Sequence, residues 1–181
     1  MRLKLLVLVL ALQGACLLGM VAMQEHALAT GKVLLLETAI IDPRDLLRGD
    51  YLILNYKISD VPGELFSPPV GNDFPVGTTV YVALAPATNR FYAVVKAGTN
   101  EFALASNEVL LKGKGTGTSW NAPTNSIHVE YGLERFYVAE GTGNPTGKLT
   151  AQVAVPASGR GHIKEVFVDG KPYAEAMKKG R

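Results

Sequence analysis

The chain has 181 residues with enough apolar content for one core, and 18 Lys or Arg stand against 16 Asp or Glu. Arg2 and Lys4 carry the whole positive surplus, so everything after Gln24 is formally neutral, which argues against a nucleic-acid partner, whose binding needs a basic stripe. Cys16 is the only cysteine, which excludes an intrachain disulfide and a thiolate metal cluster and leaves packing to hold the fold.

The first predicted element is a helix. Residues 5–23 carry no charge, and Gln13 is their only strongly polar side chain. At about 1.5 Å per residue this run crosses a hydrocarbon core of about 30 Å, so the lipid bilayer is the expected partner of residues 5–23. Arg2 and Lys4 precede the run, which places the N-terminus in the cytoplasm and the rest outside. Ala27-Leu28-Ala29 before Thr30 reads as a signal-peptidase site, but cleavable apolar segments are shorter, and Gln13-Gly14-Ala15 before Cys16 is a poor lipobox. An uncleaved transmembrane anchor over residues 1–29 is expected, followed by an extracytoplasmic domain over residues 30–181.

In that domain, apolar alternation predicts strands at 32–37, 51–58, 79–85, 91–96, 102–105, 109–112, 126–131, 135–138, 149–155 and 162–168. Between the first two lies a short turn of helix. Asp42 is its N-cap, Pro43 its first residue, and Asp45 its first-turn carboxylate; Arg48 favours the carbonyl end and Gly49 stops it. From there Leu52, Leu54, Tyr56 and Ile58 share one strand face, and Asp50 has their parity at its rim, where Arg44 or Arg48 would pair it. Asp169-Gly170 is a hairpin turn leading into Lys171-Pro172-Tyr173. Long loops are expected at 61–77 and 113–125, and Lys178, Lys179 and Arg181 form a solvated basic tail. The fold class is therefore mainly β: a single antiparallel β-sandwich or partly open β-barrel-like domain with one short helix, preceded by an N-terminal transmembrane helix.

The block Gly49-Asp50-Tyr51-Leu52-Ile53-Leu54-Asn55-Tyr56 resembles the signature of the GDYXXLXY family of bacterial membrane-anchored proteins, with Gly49, Asp50, Tyr51, Leu54 and Tyr56 matching. Tyr131-Gly132-Leu133-Glu134-Arg135-Phe136-Tyr137 looks like the family's second block, which usually has a proline where this chain has Ala139. Residues 166–172 fit its closing pattern. The resemblance implies an inner-membrane location and, because such proteins tend to be encoded beside a multi-pass membrane protein, an integral membrane partner. It implies no catalytic, cofactor-binding or metal-binding residue. The signature residues Asp42, Pro43, Arg44, Asp45, Arg48, Gly49, Asp50, Tyr51, Leu54, Tyr56, Tyr131, Gly132 and Glu134 are read as structural.

Catalytic readings compete poorly. The stretch from Pro43 through Tyr51 looks somewhat like the segment after the nucleophilic serine of type I signal peptidases. A Ser/Lys dyad needs a hydroxyl just before the proline, yet Ile40, Ile41 and Asp42 stand there, and Thr38 is the nearest hydroxyl. Residues 143–150 have the wrong spacing for a phosphate loop, and His26, His128 and His162 lack zinc-ligand spacing. His128, Glu130 and Glu134 could gather round a cation, although alternation on a wet strand face explains them as well. Trp120, the sole tryptophan, is the candidate interface residue. The expectation is a non-enzymatic accessory or binding domain without a cofactor. The alternatives are a degenerate hydrolase related to signal peptidases and a cleaved, soluble ligand carrier.

Overall fold

The computed structural model describes residues 2–41, 51–71, 74–117, 125–138, 145 and 147–178. The helix α1 (Arg2–Thr30) runs into β1 (Lys32–Ile41) with only Gly31 between them. Then follow β2 (Tyr51–Tyr56), β3 (Asp60–Pro62), a turn of 3-10 helix (Gly63–Leu65), β4 (Thr79–Pro86), β5 (Tyr92–Gly98) and β6 (Val109–Gly117). The rest is β7 (Ser126–Glu130), β8 (Arg135–Tyr137), β9 (Leu149–Val155), β10 (His162–Val168), β11 (Lys171–Pro172) and α2 (Tyr173–Lys178). The segment Lys4–Thr30 of α1 is long and apolar enough to cross a membrane, and its most apolar stretch is not covered by the rest of the protein.

The strands form two curled antiparallel sheets, ordered β11-β10-β9-β1-β2-β8 and β3-β7-β6-β4-β5. Period-2 alternation decides what each strand buries. Leu34 and Leu36 of β1, Leu52 and Leu54 of β2, and Val153 of β9 face Val80, Val82 and Leu84 of β4, Leu111 of β6 and Val129 of β7. Each such side chain contributes roughly 1.5–3 kcal/mol on burial, so a core of this size needs no covalent bridge. Gly115 of β6 is required by close approach, because a Cβ there would run into the Phe74 ring.

The chain passes between the sheets twice among the described residues. It leaves the first sheet at 57–59, between β2 and β3, and returns at 131–134, between β7 and β8. Everything between builds the second sheet.

The mainly β expectation holds, and the boundaries of β9 and β10 coincide with the predicted ones. Asp169 and Gly170 both have positive φ, 48° and 80°, and Val168 pairs with Lys171, which is the predicted two-residue hairpin. Four readings need correction. Residues 102–105 join no sheet. The loop expected at 61–77 begins with the end of β3 and the 3-10 turn, and 113–117 extend β6 instead of opening a loop. Lys178 ends α2, where Tyr173, Ala176 and Met177 pack on the core at helical spacing. The predicted helical turn at 42–48 lies outside the described residues, as do Lys179 and Arg181.

Candidate functional site

The two crossings between the sheets lie side by side, and the signature tyrosines fasten them. Tyr56 closes β2 facing inward, and its hydroxyl donates to the Leu133 carbonyl in the second crossing at 2.8 Å. Tyr131 opens that second crossing, and its hydroxyl donates to the Ile58 carbonyl in the first at 2.7 Å. Each crossing thus supplies one phenol and one carbonyl to the other. Backbone bonds reinforce the clasp: the Leu54 amide donates to the Glu134 carbonyl at 2.8 Å, and the Val129 amide donates to the Ser59 carbonyl at 2.7 Å.

The turn at 131–134 has its own logic. Gly132 has φ +76°, a conformation that a Cβ disfavours. Glu134 Oε1 accepts the Tyr131 amide at 2.6 Å and satisfies a donor that the turn would otherwise strand. Burial, and then the nearby Glu134 carboxylate, raise both the Tyr56 and the Tyr131 phenols far above the ordinary tyrosine value. Both rings therefore stay neutral and act as hydrogen-bond donors, with no capacity to serve as bases at physiological pH.

Behind the clasp, alternation turns a different set of side chains outward. Tyr51 pairs with Tyr137 and Ile53 with Arg135 across β2 and β8, so all four share the outer face. The Tyr51 and Tyr137 rings lie 6.2 Å apart at 51°, and the Arg135 guanidinium stands 5.9 Å from the Tyr51 ring. Tyr137 is 71% exposed. Phe136, between them in sequence, points inward and meets the Tyr173 ring edge-on at 5.9 Å. β8 is the last strand of its sheet. This aromatic–cationic row also lies far from α1. β2 pairs with β1 through residues 38–41 only, at the end of a ten-residue strand about 33 Å long.

The other predicted groups are distributed differently. His128 Nδ1 meets Asp60 Oδ1 of β3 at 2.7 Å, Glu134 is engaged with the Tyr131 amide, and Glu130 lies opposite Lys114. His162 Nδ1 meets the Gln24 side-chain amide at 2.9 Å, whereas His26 lies on exposed α1. No group of three metal-ligating side chains occurs among the described residues. The Thr38 hydroxyl is buried at 6% exposure without a hydrogen-bond partner among them.

Sequence reasoning missed Glu37, whose carboxylate receives Lys148 Nζ at 2.5 Å and Lys57 Nζ at 2.7 Å. Those bonds, Lys148 first, hold its carboxyl below the usual range. Asp42, Pro43, Arg44, Asp45, Arg48, Gly49, Asp50 and Trp120 lie outside the described residues, as does Ala139. Leu54, Tyr56, Tyr131, Gly132 and Glu134 are brought together at the clasp, and Tyr51 lies behind it on the outer face.

A family model described as GDYXXLXY protein matches residues 13–166, from within α1 to the core of β10. The chain belongs to the GDYXXLXY family. Comparison with curated proteins and with solved structures gave no match.

Proposed function

We propose that this GDYXXLXY chain is a single-pass protein of the bacterial inner membrane, N-terminus inside, whose extracytoplasmic domain binds an integral membrane partner without catalysing a reaction itself. The observation that carries this reading is the Tyr51, Arg135 and Tyr137 row beside β8, the edge strand of its sheet among the described residues. Tyrosine and arginine dominate binding hot spots, since each presents a large contact area with a polar handle. An edge strand adds unpaired backbone groups that a partner strand can join. The clasp beneath gives the row a rigid floor, which lowers the entropy lost on binding. A neutral domain surface fits a protein partner better than a polyanion.

The test is affinity purification of the tagged full chain from native membranes, beside a Tyr137→Ala and Arg135→Ala double variant. One multi-pass protein should be recovered in stoichiometric amount by the parent and lost from the variant. Equal recovery by both would move the interface elsewhere, and repeated recovery of nothing would defeat the accessory role.

A further inference from the structure

Residues 99–108, between β5 and β6, contain the apolar stretch whose alternation predicts a strand, yet they run as an irregular crossover beside β4. Their first half is fastened to the domain. Lys96 Nζ stands 4.6 Å from the Phe102 ring, and Lys112 Nζ meets Glu101 at 2.8 Å while lying 5.1 Å from the Tyr81 ring. The second half closes as a turn: the Glu108 side chain accepts the Ala105 amide at 2.9 Å, and the Glu108 amide donates to the Ala105 carbonyl at 3.0 Å. Between these fastenings Ala103, Leu104 and Ala105 stay exposed, with Leu104 at 40%.

The position of this apolar step is fixed by Lys32, whose Nζ donates to the Asn107 carbonyl at 3.3 Å. Lys32 is two residues past the end of α1, so the step lies beside the helix exit. Val33, 41% exposed, is next to it in sequence. No linker separates helix from sheet. The Gly31 amide donates to the Ala27 carbonyl at 3.0 Å, and a Cβ on Gly31 would collide with that carbonyl and with the Val155 amide. The Gln24–His162 bond ties the last turns of α1 to the start of β10. At about 1.5 Å per residue, Thr30 stands about 10 Å beyond Met23, the last residue of the apolar run. Each headgroup layer is about 5–8 Å thick. The base of the domain is therefore held at the outer edge of the headgroup layer.

We infer that Ala103, Leu104 and Ala105, with Val33, reach into the outer headgroup layer of the bilayer that holds α1. Lys32, and Arg160 in the β9–β10 turn at the same end, meet lipid phosphates there. The inference rests on α1 spanning that bilayer. Its consequence is a domain with fixed tilt, which keeps the Tyr51–Tyr137 row at a set height above the membrane. The exposed apolar step has a reason in this arrangement that packing within the domain does not supply.

The test uses the full chain carrying Cys16→Ala, reconstituted in phosphatidylcholine–phosphatidylglycerol vesicles. A nitroxide is placed in turn through Leu104→Cys, Ala105→Cys, Leu12→Cys and Val76→Cys. Val76 is an exposed apolar residue at the opposite end of the domain, beside Gly117. Collision with oxygen, which concentrates in lipid, is compared with collision with a water-soluble nickel chelate. Leu12 should read deep lipid, Leu104 and Ala105 the headgroup depth between Leu12 and Val76, and Val76 water. If Leu12 reads lipid while Leu104 and Ala105 match Val76, the inference fails and the anchor stands. If Leu12 reads water, the anchor reading fails and takes the inference with it. Protection of Leu104 and Ala105 from both reagents would mean a protein cover, which also overturns the inference.

Discussion

Replacing Tyr56 or Tyr131 with phenylalanine removes one oxygen from the clasp and leaves every apolar contact in place. The cost follows from what each hydroxyl serves. Tyr56 satisfies the Leu133 carbonyl and Tyr131 satisfies the Ile58 carbonyl, and both bonds are buried. A buried acceptor that loses its donor costs about 1–3 kcal/mol. For a domain of this size each kcal/mol shifts the midpoint by about 2–4 °C, so each single variant should melt several degrees below the parent. The two bonds close one loop between the same two crossings, so their losses should couple. A double-mutant cycle should return an interaction of about 0.5 kcal/mol or more. The measurement is urea and thermal unfolding of the full chain in detergent, followed by near-ultraviolet circular dichroism. Tyr137→Phe is the control, because that exposed hydroxyl has no part in the clasp. If both inner variants unfold with the parent, or their effects simply add, the two crossings are not locked together and the structural reading of the signature is wrong.

Three other outcomes are expected. Thr38→Val keeps the shape and removes a buried hydroxyl that has no partner among the described residues, so it should raise stability by about 1–2 kcal/mol; a loss of stability would mean that the hydroxyl is hydrogen-bonded and would refute the expectation. Glu37→Gln should cost about 0.5–1 kcal/mol at neutral pH, because its lysines are largely solvated. Since the folded carboxyl is held below its ordinary 4.5, that difference should be full above pH 4.5 and vanish as pH falls below it; a difference that persists in acid would refute the ion-pair account. Edman sequencing of the protein from membranes should begin at or near Met1, and a start at Thr30 would remove the anchor.

Strand positions were legible where burial is one-sided. β2 alternates throughout, β9 over 149–153 and β10 over 165–168, because one face meets the core, and the Asp169-Gly170 turn declares itself because few residues tolerate two successive positive φ angles. Residues 102–105 misled for a physical reason: apolar alternation records a preference to leave water, and it does not say whether a sheet receives the segment. Gly115 hid the extension of β6, since glycine reads as a breaker although here it makes room for Phe74. The α2 spacing of Tyr173, Ala176 and Met177 was present but too short to outweigh the polar tail around it. Contacts such as Glu37 with Lys148 and Lys57 join residues far apart in sequence or in adjacent strands, and only the sheet order β9-β1-β2 brings them together.

The clasp also explains why a signature written in one short block needs a second block eighty residues later. β2 has a period of two, so Leu54 and Tyr56 must point inward while Tyr51 points outward. The inward pair serves the fold. Leu54 lends its amide to Glu134 and Tyr56 its hydroxyl to Leu133, which fixes where the chain re-enters the first sheet. That re-entry sets the register of β8 on β2, and register alone decides that Tyr137 and Arg135 face the same side as Tyr51. A slip of one residue would bring Phe136 out and bury Arg135. The inward residues of the signature thus determine the composition of the outer row without touching it. Structural and surface roles are therefore separable by experiment: loss of the inner bonds should scramble the row through stability, whereas truncation of Tyr137 should empty it with the fold intact.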